Sequence, residues 1–209
     1  MDLGFGCGEG CGPPKKKAAE KVSETARELF YKRGIRAVGV DEIVTQAGVT
    51  KPSLYRSYPS KDDLVAACLR EHAEEGRERF ERAVASAPAN PRQQLSNAIK
   101  AFAELALDEE FRGCPISNAA VEFPDPCHPV HTLARQMKGE NRERWLGLIR
   151  QLDVDNPEEL TDGLILLGEG ASSAFQSYGC SGPVTCFVQS AEALIDSHLS
   201  RAKSATPQG

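Results

Sequence analysis

The chain has no apolar run approaching the ~18 residues of a membrane-spanning helix, and Met1-Asp2 lacks the basic and apolar regions of an export signal. A membrane protein and a secreted one are therefore excluded as expectations, and a cytoplasmic location is expected. A nucleophile elbow, a Walker-type phosphate loop and a metal-ligand motif are also missing, which removes the common hydrolase, nucleotide-binding and metalloenzyme signatures. Excess positive charge is missing too, since the net charge is −5. Bulk attraction to nucleic acid is thus excluded, and any such binding must come from a local basic face.

Cysteine is not scarce, with seven residues, but in a cytoplasmic chain these read as free thiols and not as a disulfide framework. Cys7 and Cys11 lie in GFGCGEGCGPP. That run misses the dinucleotide fingerprint, because Glu9 stands where the third glycine would have to be, and it offers only two thiols toward a zinc site. Residues 1–17 read as a disordered Gly/Lys-rich tail, in which Lys15, Lys16 and Lys17 form either a solvated run or an arm touching phosphates.

The informative segment is DEIVTQAGVTKPSLYRSYPSKDDL, residues 41–64. Asp41, Glu42, Ile43, Val44 and Ala47 make a short amphipathic helix with its acidic pair at the N-terminal end, where the helix dipole favours negative charge. Gly48 ends it, because glycine takes left-handed geometry without steric cost. Thr50 is a natural N-cap, and Pro52 falls in the first turn, where no N–H is needed. A second helix therefore starts near Lys51, with Leu54 inward and Lys51, Ser53, Tyr55, Arg56 and Ser57 outward. Tyr58 before Pro59 stops it, and Ser60 with Asp63 forms a capping box for the next helix, from Lys61. Residues 18–33 read as a preceding helix, with Val22, Ala26, Leu29 and Phe30 at helical spacing.

The whole stretch AEKVSETARELFYKRGIRAVGVDEIVTQAGVTKPSLYRSYPSKDDL resembles the DNA-binding domain of the tetracycline-repressor (TetR) family of bacterial transcriptional regulators. That resemblance implies an all-α protein. A three-helix helix-turn-helix domain over 18–64 is followed by a C-terminal helical bundle over 65–201 for ligand binding and dimerisation, and residues 202–209 form a tail. It also implies that Thr50, Tyr55, Tyr58 and Lys61 contact DNA phosphates while Lys51, Pro52, Ser53 and Arg56 lie near base edges. Their chemistry suits these roles, because hydroxyls and ammonium groups bind phosphate oxygens and Arg or Lys pairs with guanine. Two positions depart from the family pattern: Gly39 stands where a hydroxyl residue is usual, and Pro52 where a small or flexible residue is common. Charge agrees with the division of labour: residues 1–64 carry 11 basic and 9 acidic residues, net +2, and the remainder carries 14 and 21, net −7.

Beyond residue 64 the pattern predicts helices over 61–86, 91–108, 116–122, 130–152, 157–178 and 183–200. The last two carry apolar stripes, Leu160, Leu164, Leu167, Ala171, Ala174 and Phe175 in one, beside the small residues Gly163, Gly168, Gly170, Ser172 and Ser173 that let helices approach closely, and Val184, Phe187, Val188, Ala191, Leu194, Ile195 and His198 in the other. Such stripes suit either a seam inside the subunit or a four-helix interface between two copies. The resemblance implies the homodimer, binding a palindromic double-stranded operator as a repressor, with release by a small-molecule effector. Phe102, Cys114, Asn118, Glu122, His131, Trp145, Phe175 and Tyr178 combine aromatic walls with polar groups and are the candidate effector-binding residues. No cofactor, metal or catalytic residue is expected. The competing readings are a thiol-based redox sensor, for which Cys114 beside Arg112 is best placed, and a helical-bundle enzyme using Cys127 with His128 or His131.

Overall fold

The computed structural model describes residues 17–205 apart from positions 88, 107 and 109. The glycine-rich segment with Cys7 and Cys11, Lys15, Lys16 and the last four residues lie outside the described set. Among the described residues the chain forms helices and one 3₁₀ turn, with no strand: α1 (Ala18–Arg33), α2 (Val40–Ala47), α3 (Lys51–Ser57), α4 (Lys61–Ala85), α5 (Pro91–Ala106), α6 (Pro115–Glu122), α7 (Pro129–Ile149), α8 (Pro157–Tyr178), the 3₁₀ turn Pro183–Cys186 and α9 (Phe187–Ala205).

Local signals position the first four helices. Gly48 adopts left-handed φ 64° and ψ 38° and caps α2, with its N–H bonded to the carbonyls of Thr45 and Val44. The Thr50 hydroxyl accepts from the Ser53 amide at the head of α3, and the Ser60 hydroxyl accepts from the Asp63 amide at the head of α4. Leu54 is fully buried and fastens α3 to α1 and α4 through a core of Val22, Ala26, Ile43, Leu64 and their neighbours.

That core does not stop at residue 64. Val65, Cys68 and Leu69 of α4 belong to it, as do Ile116 and Ala119 of α6 and Val130, Ala134 and Met137 of α7. A second core joins Leu95 and Ile99 of α5, Leu148 and Ile149 of α7, Leu160 and Leu164 of α8, and Ala191 and Ile195 of α9. Helix α4 thus runs from one core into the other, since Phe80 and Val84 near its far end pack on the second.

Several helix ends differ from the periodic reading, for one physical reason: the last or first turn tightens to i→i+3 bonds. Asp108 N–H bonds to Leu105 O after α5, and Gln151 and Leu152 bond back to Leu148 and Ile149 after α7. Thr185 N–H bonds to Gly182 O, so 183–186 is a 3₁₀ turn ahead of α9. Helix α9 itself continues to Ala205, past the expected tail boundary at 202.

Candidate DNA-binding surface and internal cavity

Helix α3 presents the face a groove-reading helix needs. Lys51, Pro52, Tyr55, Arg56 and Ser57 are exposed, Ser53 is half-buried, and Leu54 alone points into the core. Tyr55 keeps 45% of its surface in solvent although it is a large aromatic. Lys51 Nζ lies 2.6 Å from Asp41 of α2, a pairing that raises the lysine's pKa and draws the ammonium toward the turn. Arg56 has no ion pair within the described residues, so its guanidinium remains available for an outside partner.

Two of the expected phosphate-binding groups have partners inside the subunit. The Tyr58 hydroxyl donates to Ala19 O at 3.3 Å, and the side chain is half-buried. Lys61 Nζ donates to Ile35 O at 2.6 Å and lies 5.8 Å over the Phe30 ring. Burial lowers the Lys61 pKa, partly opposed by Asp62 and Glu122. The reason is local: the α1–α2 turn leaves the Ile35 carbonyl facing the head of α4, where an ammonium can satisfy it.

That turn is held from the other side by Glu122 at the end of α6. Its carboxylate accepts from the amides of Ile35 and Arg36 at 2.9 and 2.8 Å. Gly34, at φ +89°, takes a backbone conformation that a side chain would strain, and a Cβ there would also crowd both carboxylate oxygens at 3.3 Å.

Between α4, α5, α7 and α8 lies a cavity of about 230 Å³. Phe80, Phe102, Phe111 and Trp145 line it, and two aromatic pairs, Phe80 with Trp145 and Phe102 with Phe187, meet edge to face at 5.1 and 5.3 Å. At one end stand Cys114, His72, Lys138 and Glu169. Lys138 Nζ is 3.5 Å from Cys114 Sγ and also pairs with Glu169. A second cavity, of about 440 Å³, lies under α1, between α4 and α6.

Residues 23–68 match the family model described as bacterial regulatory proteins, tetR family. The chain is 36% identical over 89 residues to the transcriptional activator FasR of Mycolicibacterium smegmatis, covering 43% of this chain and 40% of that one. It is 25% identical over 154 residues to the transcriptional regulator YjdC of Escherichia coli, covering 74% of this chain and 81% of that regulator. Its fold superposes on SCO4454, a TetR-family transcriptional regulator from Streptomyces coelicolor, with TM-score 0.78, 29% identity and coverage of 89% and 96%. The chain therefore carries a TetR-family DNA-binding domain on a fold shared with TetR-family regulators. It is a transcriptional regulator with a DNA-binding helix-turn-helix, and its relatives are regulators and not enzymes. No helix among the described residues is long and apolar enough to cross a membrane.

Against the TetR-type expectation for an effector site, the candidate residues divide. Phe102, Cys114 and Trp145 line the first cavity. Asn118 and Glu122 line the second instead, because α6 turns that face toward α1. His131 lines neither: its Nδ1 is 2.7 Å from Phe123 O and ties the start of α7 to the end of α6. Phe175 meets Phe111 edge to face behind the cavity wall, at 5.6 Å, and Tyr178 stands 67% exposed at the end of α8. His128 accepts from the Val130 amide, stacks on Phe123 and lies 3.6 Å from Asp62, which makes it a helix cap and not the base of a Cys127 pair. Lys138, His72 and Glu169 were not anticipated. Lys138, 24 residues along the chain, is the cation that faces Cys114, whereas Arg112 uses its backbone N–H to bond the Tyr31 hydroxyl.

Proposed function

We propose that this protein is a dimeric transcriptional repressor that binds a palindromic operator through two copies of α3 and releases it when a small molecule enters the aromatic cavity. The carrying observation is the seven-residue α3, anchored by one buried leucine and exposing Lys51, Tyr55 and Arg56 together. Thr50 and Tyr55 are the phosphate contacts, joined by Tyr58 and Lys61 when these leave their internal carbonyls; Lys51, Pro52, Ser53 and Arg56 face the base edges. The cavity lies beside α4, whose first residues follow α3 directly, so a ligand that displaces α4 also displaces the reading helix. Two sites are then coupled through two arrangements of one rigid element.

The test is titration of the chain's own promoter DNA, carrying an inverted repeat, by fluorescence anisotropy at several salt concentrations. If each subunit neutralises about four phosphates, log K falls with log salt at a slope of about −7. Tyr55→Ala weakens binding to every sequence alike. A salt-independent affinity, or equal affinity for a scrambled half-site, would overturn the reading.

A further inference from the structure

The polar end of the cavity is a built cluster, and its components suit a nucleophile. Cys114 is the N-cap of α6, so its sulfur stands at the positive end of a helix dipole. Lys138 approaches the sulfur from α7, His72 of α4 lines the same end of the cavity, and Glu169 of α8 pairs with the lysine. Burial pushes the Cys114 thiol up, but His72 and the Lys138 ammonium outweigh it and bring it down to about 6. Cys68, the one fully buried thiol among the described residues, is pushed up to about 12 by burial and is inert by comparison. Three other described thiols, Cys127, Cys180 and Cys186, are exposed and away from the cavity lining.

We propose that Cys114 is a covalent capture site and that the effector class of this cavity is an α,β-unsaturated carbonyl compound, which adds to its sulfur. The inference rests on the cavity being the effector site. The aromatic walls take the carbon skeleton, and the ammonium of Lys138 stands beside the sulfur, where a carbonyl oxygen gaining charge needs a cation. In the step, the Cys114 thiolate attacks the β-carbon and the S–C bond forms. The C=C π pair moves toward the carbonyl to give an enolate. Lys138 delivers one proton to the enolate, and solvent reprotonates the amine. The net change is addition of S and H across the double bond, with no oxidant or reductant. No second activated thiol lines the cavity among the described residues, which favours an adduct over a disulfide.

The adduct has a mechanical route outward. The loop just before Cys114 is bonded to α1, because the Tyr31 hydroxyl donates to Gly113 O and accepts from Arg112 N. Helix α6, which Cys114 opens, carries Glu122 against the α1–α2 turn. A group attached at Cys114 therefore loads both ties to the DNA-binding helices.

The probe is 2-cyclohexen-1-one, with saturated cyclohexanone as its non-reactive shape control, added to the full-length protein alone and on promoter DNA. At pH 6, a thiol near 6 carries roughly 150-fold more thiolate than an ordinary thiol near 8.5, and its lower basicity takes back about 13-fold, so peptide mass mapping should show labelling of Cys114 roughly tenfold faster than of the exposed Cys127. Lys138→Gln should move the pH midpoint of labelling upward with the fold intact by circular dichroism, and Cys114→Ser should abolish both the adduct and enone-driven DNA release. Labelling of Cys114 no faster than Cys127, or a labelling midpoint unmoved in Lys138→Gln, overturns the proposal. Equal DNA release by cyclohexanone also overturns it while leaving a reversible effector in place. Failure of the protein to bind promoter DNA at all defeats only the operator reading, because the labelling rates are measured without DNA.

Discussion

Glu122 shows what one side chain contributes to this architecture. Two backbone amides in the α1–α2 turn, one of them on the buried Ile35, have its carboxylate as acceptor. Glu122→Ala leaves both without a protein acceptor and should cost about 1–2 kcal/mol, seen as a fall of roughly 2–8 °C in Tm for a chain of this size. A melting curve superposable on the parent's would show that water replaces the carboxylate without loss. The residue also marks the limit of reading chemistry from sequence. Thr50, Leu54, Ser60 and Asp63 were legible because a cap or an inward face is decided within four residues. Glu122 as a turn fastener and Lys138 as the partner of Cys114 were not, since each depends on a contact between elements 24 or more residues apart.

At the scale of an element, α2 offers the clearest test. Its N-cap, Gly39, has extended backbone at φ −88° and ψ 153°, makes no side-chain cap, and has nothing within 4 Å of a would-be Cβ. Gly39→Thr therefore fits without strain and should change stability by only a few tenths of a kcal/mol. If the head of α2 faces the DNA backbone, the new hydroxyl is an uncharged donor to an ionised phosphate, a bond worth about 1.5 kcal/mol and a roughly tenfold gain in operator affinity. The salt slope should stay unchanged, because a neutral contact releases no counterion. Anisotropy titration of the folded variant measures both, and an unaltered Kd would place the α2 N-terminus away from the phosphates. Helices of this kind were readable almost to the residue, α3 and α8 at both ends, because glycine, proline and hydroxyl residues stand at their boundaries. Where α5, α7 and α9 begin or end in tightened turns, the boundary is set by hydrogen-bond geometry that periodicity does not encode.

At the scale of the whole molecule, the stripes on α8 and α9 resolve into an inside and an outside. Leu160, Leu164, Ala171, Val184, Phe187, Ala191, Ile195 and His198 are buried within the subunit, where His198 also bonds Asp155 at 2.9 Å. They are consumed by the second core and are not free to meet a second copy. Another face of α8 remains in solvent, with Leu166, Gly170 and Ser173 at helical spacing, and α9 exposes Ala193 and Ser197. The sequence showed both the broad apolar stripe and the small residues of α8, Gly170 and Ser173 among them, but periodicity could not say which face the subunit's own core would use and which it would leave in solvent. Leu166 is 72% exposed in the single subunit, which is unusual for a leucine at mid-helix. If two copies meet through this face, Leu166→Glu places two like charges near the symmetry axis and leaves each poorly solvated. The subunit should keep its helical content, since the side chain contributes little to either internal core. Light scattering should report a shift from dimer to monomer, and operator affinity should fall by at least about tenfold, because each half-site is then bound alone. A Leu166→Glu protein that remains dimeric with parental affinity would assign dimerisation to a different surface.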